Sequence, residues 1–292
     1  MILFSIILLL LLVLCVLQSI AFITLYERHI FGVRQNRLGP NKTSIFGVLQ
    51  AIIDGVKLLK KEQVLPAGSS YFLFLGVPGL SFIIILVDWF TLPYNFFFLT
   101  FEFSLMFFLC LVGFSVYRTL VRGVVRKSKY AILGSIRARS QSVSFEIAFS
   151  LYIFCVVFHT NKFCFLRNWN LGLLFIFIPF LLIILAELNR APFDFSEGER
   201  ELVRGYNVEF ASVAFVLLFL REYGFLIFFS VLFSCFFFDF SIFGAFLIYS
   251  LLILIRRSFP RYRYDFLINF FWFKLLPISV ILLFYFWGIL IL

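Results

Sequence analysis

Between Ile2 and Tyr26 the chain carries no charged residue. Comparable apolar runs recur at about Tyr71–Trp89, Phe96–Tyr117, after Ser142, Leu171–Ala186, from near Val208, Ile242–Ile255 and over the last part of the chain. A helix needs about 20 such residues to cross ~30 Å of hydrocarbon. The runs predict an all-α polytopic membrane protein of about eight transmembrane helices, with residues 1–292 as a single transmembrane domain. With 63% hydrophobic and 14% charged residues, too little polar surface remains for a soluble globule.

The basic residues then orient the chain. Loops after the first, third, fifth and seventh spans hold 21 of the 25 Lys and Arg residues. By the positive-inside rule these loops face the cytoplasm or matrix, and both termini face the outer (intermembrane) side. This pattern accounts for the net charge of +10 without a nucleic-acid partner. The first segment has neither a basic n-region nor a small-residue cleavage site, so it reads as a span and not a signal peptide. The 47 phenylalanines fit T-rich codons and an organellar genome, which points to the mitochondrial inner membrane; a bacterial plasma membrane is the alternative.

Residues 27–66 form the first inward loop. Within it Ile45, Leu49, Ile52, Val56 and Leu59 share one helical face, opposite Gln50, Asp54, Lys57 and Lys61. That spacing predicts a short amphipathic interfacial helix. It is either a surface connector or the polar wall of a ligand cavity. Residues 187–209 form an acidic inward loop. The stretch AELNRAPFDFSEGERELVRGYNVEF (Ala186–Phe210) holds six of the fifteen carboxylates.

Charge is costly in a membrane, about 2.5–3.5 kcal/mol for a central charged residue on insertion scales. Ser142, Glu146 and Ser150 recur at four-residue spacing, so Glu146 is either anchored by its serines or functional. Arg221 and Glu222 lie adjacent inside an apolar run as a candidate neutral pair. Carboxylates in low dielectric have raised pKa values and exchange protons near neutral pH. Glu197, Glu199 and Glu201 are either such groups or a solvated loop paired with Arg200 and Arg204. The scattered cysteines Cys15, Cys110, Cys155, Cys164 and Cys235, and the isolated His29 and His159, form no metal-ligand spacing. No nucleophile set, phosphate loop or dinucleotide fingerprint is present, so the chain alone has no means of hydride or electron transfer.

The loops YERHIFGVRQNRLGPN, QAIIDGVKLLKKE, SKYAILGSIRARSQSVSFE, the acidic stretch above and RSFPRYRYD resemble, in the same order, those of the family of subunit 1 of NADH:ubiquinone oxidoreductase, respiratory complex I. The resemblance implies a core membrane-arm subunit of a proton-pumping NADH:ubiquinone reductase, not catalytic alone. Glu27, Arg28, Arg37, Asp54, Lys57, Arg261 and Arg263 would then line or brace a tunnel that admits ubiquinone, the substrate. Glu146, Glu187, Asp194, Glu197, Glu199, Glu201, Glu209 and Glu222 would form the acidic path coupling quinone reduction to proton translocation. It further implies that this chain binds no cofactor of its own. FMN and iron–sulfur clusters would reside in partner subunits, with hydrophilic-arm subunits, other membrane-arm subunits and membrane lipids as neighbours.

The chain departs from the family pattern at Ala51, where a proline is usual, and at Arg139, Arg200, Arg204 and Arg221, which replace small or apolar residues. The family's lysine near Trp272 stands here at Lys274. Besides a purely structural membrane anchor, which would leave the acidic loop unexplained, two alternatives remain at this stage. One is the equivalent subunit of a membrane-bound hydrogenase-type complex. The other is an ion-coupled transporter, against which the lack of inverted repeats counts.

Overall fold

The computed structural model describes residues 2–63, 65, 69–94, 103–125, 129–163, 165, 171–193 and 210–291. Among them every regular element is helical. The helices are α1 Ile2–Arg34, α2 Val48–Leu59, α3 Tyr71–Trp89, α4 Ser104–Val125, α5 Lys129–Thr160 and α6 Leu174–Glu187. They continue with α7 Ser212–Phe237, α8 Ile242–Ser258, α9 Tyr264–Phe270 and α10 Leu276–Ile291. A π turn, Phe271–Leu275, joins the last two into one continuous helix.

All eight apolar segments expected from the sequence are helical over most of their described residues. Six helices (α1, α3, α4, α5, α7 and the joined C-terminal helix) are long and apolar enough to cross a membrane on their own. The remaining two are shorter. At a rise of 1.5 Å per residue, the 14 residues of α6 give about 21 Å and the 17 residues of α8 about 26 Å.

Two features of the expected loops differ. The first inward loop begins later than Glu27, because α1 continues to Arg34 and stops only where Asn36 takes a positive φ of 52°. Likewise α4 runs to Val125 and α5 starts at Lys129, so most of the second basic "loop" is helix. Charge alone does not end a helix. Arg118 and Arg122 are buried there.

The turns follow local chemistry. Asn161 and Asn189, both at positive φ, end α5 and α6. Asp239 and Phe240 at positive φ divide α7 from α8, and the Ser241 hydroxyl accepts the Gly244 N–H at 3.1 Å to cap α8. Phe259 is extended before Pro260, as a residue preceding proline must usually be, and this ends α8.

The contacts divide the chain into two compact units, 1–86 with 209–227 and 87–208 with 228–292. In the first, α1 packs on α2, and Gly224 of α7 admits Ile20 and Ile85 to within 3.2 Å of where a Cβ would stand. In the second, α5 is the central helix and packs against α4, α6 and α10. Its core is a phenylalanine cluster. Phe108 lies 6.0 Å from Phe149 and 5.3 Å from Phe228, while Phe149 stacks on Phe180 at 5.8 Å and 12°. Offset and edge-on ring pairs of this kind contribute about 0.5–1.5 kcal/mol beyond area burial. Part of the phenylalanine excess is thus structural, whatever its codon origin.

Candidate functional site

In the first unit the polar side of α2 faces inward. Arg28 Nη1 of α1 lies 2.6 Å from Asp54 Oδ2 of α2. Gln50 Nε2 donates to the other Asp54 oxygen at 2.8 Å, and Thr43 Oγ1 donates to Gln50 Oε1 at 3.0 Å. The apolar side of the same helix is exposed, with Leu49 at 50%, Ile52 at 57% and Val56 at 48%. A water-soluble protein turns such a face inward. Exposed here, it suits a helix lying in the interface with its apolar side in the acyl region.

The segment before α2 is held by close backbone approaches. Arg37 N–H donates to Gly32 O at 2.9 Å, which folds the chain back over the end of α1. A Cβ on Gly39 would strike the His29 imidazole, and one on Gly47 would strike the Pro40 carbonyl. Gly47 also sits at φ +70°. His29 Nε2 in turn lies 3.1 Å from Phe46 O. The RxGPN signature is therefore a packing device that sets the start of α2.

These elements enclose a cavity of about 390 Å³, within the ~300–1,000 Å³ typical of small-molecule sites. Thr24 and Arg28 of α1, Asp54 and Lys57 of α2, and Phe215 and Phe219 of α7 contribute to its wall. It is an aliphatic and aromatic space with a cation, an anion and a further lysine on its lining. Along α7, Phe215, Phe219 and Tyr223 form a ladder of rings 6.3 and 4.5 Å apart. At its end the Tyr223 hydroxyl donates to Glu27 Oε2 at 2.7 Å, and both residues are buried.

Of the seven residues expected at the tunnel, Arg28, Asp54 and Lys57 thus share one cavity. Glu27 lies behind it as a brace between α1 and α7. Arg37 is exposed and does not line the cavity. Arg261 and Arg263 belong to the second unit, where both are exposed.

Of the expected acids, Glu222 is half-buried on α7 in the first unit. In the second unit Glu146 is half-buried on α5. Its Oε1 would stand 3.0 Å from a Cβ on Gly113 of α4, so the glycine leaves room for the carboxylate. Its neighbouring serines do not serve it. Ser142 Oγ donates to Arg139 O at 2.9 Å and Ser150 Oγ to Ile147 O at 2.9 Å, each within its own helix. Glu187 is buried at the C-terminus of α6. Beyond it, Gln141 Nε2 of α5 donates to Phe193 O at 2.9 Å, and Pro192 O accepts Tyr262 N–H at 3.0 Å. The start of the acidic stretch is thereby tied down. Asp194, Glu197, Glu199, Glu201 and Glu209 lie outside the described residues.

Among the described residues four buried charged groups, Asp88, Arg118, Arg122 and Arg190, were not singled out in the sequence. Asp88 near the end of α3 is 2% exposed, and Arg122 of α4 is 0% exposed. A charge inside an apolar run was the available signal for Asp88. For Arg122 there was none, because it sits in a basic stretch that reads as a solvated loop.

Fold and site together define an integral membrane protein of the multi-pass helical class, with a cavity that has polar groups on its lining beside an amphipathic helix. Residues 7–287 match the family model described as NADH dehydrogenase. NADH-ubiquinone oxidoreductase chain 1 of Aedes aegypti is 39% identical, covering 96% of this chain and 94% of the relative. That of Apis mellifera ligustica is 42% identical over 95% of each, and that of Locusta migratoria 39% identical over 96% and 94%. This chain belongs to the NADH dehydrogenase family, as a membrane subunit of the oxidoreductase complex.

Proposed function

We propose that this chain is the membrane-arm subunit that walls the quinone's path in a proton-pumping NADH:ubiquinone oxidoreductase. The observation that carries this reading is the cavity that has Arg28, Asp54 and Lys57 on its lining and an aromatic ladder on α7. An isoprenoid tail matches the aliphatic and aromatic wall, and a polar head matches the ion pair and Lys57. The exposed apolar face of α2 would lie among acyl chains, where a long-tailed quinone resides.

Reduction of a quinone to the quinol takes two electrons and two protons. The electrons would arrive from a partner subunit of the hydrophilic arm that carries the terminal iron–sulfur cluster, fed from FMN further away. Transient negative charge at the quinone shifts the protonation of buried acids that feel its field. Glu222, Glu146 and Glu187 are the described members of that proposed path. Asp194, Glu197, Glu199, Glu201 and Glu209 complete it. Arg37 would brace the loop before α2, and Arg261 and Arg263 would border the path from the connector after α8. The animal relatives and the phenylalanine-rich composition support a mitochondrial inner membrane, with both termini on the intermembrane side.

The test is labelling of the intact complex with a photoreactive long-chain ubiquinone, followed by peptide mapping. Adducts on α1, α2 and the first half of α7, competed by unlabelled ubiquinone, are expected. Competable adducts only on other segments would overturn the assignment. For coupling, Glu146→Gln and Glu187→Gln are expected to lower the protons moved per NADH oxidised; unchanged ratios in both would remove them from the path.

A further inference from the structure

The cavity between α1, α2 and α7 has a hydrogen-bonding character of its own. Its polar side chains are Thr24, Arg28, Asp54 and Lys57, and the rest of the lining is aliphatic, aromatic or glycine. Asp54 is the one carboxylate on that lining, and both of its oxygens are engaged. Oδ2 accepts from Arg28 Nη1 at 2.6 Å and Oδ1 from Gln50 Nε2 at 2.8 Å. A carboxylate only accepts, so Gln50 must turn its amino group to Asp54. Its carbonyl is then spent on the Thr43 hydroxyl, at 3.0 Å.

Donors are left in excess. A guanidinium carries five N–H groups and an ammonium three, and neither accepts. Arg28 spends one bond on Asp54, and Lys57 is exposed and makes no hydrogen bond or ion pair with the described residues. The Thr24 hydroxyl donates to Ala21 O at 2.7 Å, which leaves it as the second accepting side chain on the lining. Carbonyls of the surrounding helices are taken up within those helices.

Such a lining matches a head that accepts and does not donate. An oxidised quinone presents carbonyl oxygens, which accept. Two electrons and two protons turn both carbonyls into hydroxyls, so the quinol brings two O–H donors to the same wall. There they meet Arg28 and Lys57 donor to donor, and a donor without an acceptor is costly.

We infer that this cavity selects by redox form, binding the oxidised quinone head in preference to the quinol, with Lys57 as the residue that sets the preference. The inference rests on the quinone reading proposed above and deepens it. Arg28 is held by Asp54, whereas the Lys57 ammonium, on its flexible stem, can follow a carbonyl oxygen. A lining of this kind admits substrate and favours the departure of product.

The test uses the intact complex in mild detergent, without NADH or NAD+, and a photoreactive long-chain ubiquinone. Labelling of α1 and α2 peptides is competed with unlabelled ubiquinone or with ubiquinol of the same chain length. Ubiquinol is expected to need about tenfold more for half-displacement, the equivalent of ~1.4 kcal/mol. Lys57→Gln, whose amide accepts as well as donates, should bring the two competitors nearly level, while Lys57→Arg keeps them apart. Equal competition in the unaltered complex, or stronger competition by ubiquinol, would overturn the inference and leave the quinone reading standing. An undiminished preference in Lys57→Gln would overturn the role of Lys57. If that variant fails to assemble, Lys57→Met, which keeps the length and removes the donors, takes its place. Absence of competable adducts on α1 and α2 would overturn the quinone reading itself, and the redox preference with it.

Discussion

Tyr223 donates its hydroxyl to Glu27 Oε2 across 2.7 Å, joining positions 196 residues apart in the chain. Both side chains are buried. Removing the donor takes one hydrogen bond from a buried carboxylate, at a cost of about 1–3 kcal/mol. Tyr223→Phe is therefore expected to hasten heat inactivation of the complex and to raise the KM for long-chain ubiquinone. An unchanged inactivation rate would mean that Glu27 draws its support elsewhere.

The ion pair of Arg28 and Asp54 calls for a different expectation. Their side chains are 48% and 31% exposed, and exposed pairs contribute only about 0–1 kcal/mol to stability. Asp54→Ala should leave assembly and heat stability nearly unchanged. It should raise the ubiquinone KM roughly tenfold, the equivalent of ~1.4 kcal/mol, by releasing Arg28 of the cavity wall from its carboxylate partner. Steady-state kinetics with long- and short-chain quinones would check this, and an unchanged KM for both would contradict it.

At Gly47 the backbone and the packing both resist a side chain. A φ of +70° disfavours any Cβ by about 1–2 kcal/mol, and the Pro40 carbonyl occupies the space as well. Gly47→Ala is expected to reduce the amount of assembled complex in native gels. Gly76→Ala, where no atom lies within 4 Å of the added methyl, should assemble normally.

Gln141 ties the start of the acidic stretch to the central helix α5 through Phe193 O at 2.9 Å. Gln141→Leu keeps the volume and removes the donor, leaving a buried carbonyl with one bond fewer. The expected result is a lower ratio of protons translocated to NADH oxidised. NADH oxidation by a soluble acceptor, which bypasses the membrane arm, should not change. A wild-type ratio would show that this tie does not govern coupling.

Much of the fold was legible because membrane helices are specified locally. Each apolar run is helical where it is described, since no solvent in hydrocarbon can satisfy a free backbone. The amphipathic helix α2 was equally plain from the period of Leu49, Ile52 and Val56 against Gln50 and Asp54. The helix ends were less plain. The sequence suggested stops at Tyr26 and Tyr117 because charge begins there. The helices run to Arg34 and Val125, because charge stops burial and not helical geometry. Glu146 shows a similar limit. The four-residue spacing of Ser142 and Ser150 suggested partners for the acid, yet both hydroxyls turn back to their own helix.

What the sequence determined by itself was the membrane class, the helical elements and the family, since these depend on composition, period and contiguous motifs. Only the tertiary structure decided which motif residues meet. Arg28 joins Asp54 and Lys57 around one cavity, while Glu27 is drawn behind it to Tyr223 on a distant helix. It also decided that Arg122, in a stretch reading as solvated loop, is fully buried. The physical reason is the same in each case. Contacts between helices depend on how side chains interlock across sequence separations that no local pattern encodes.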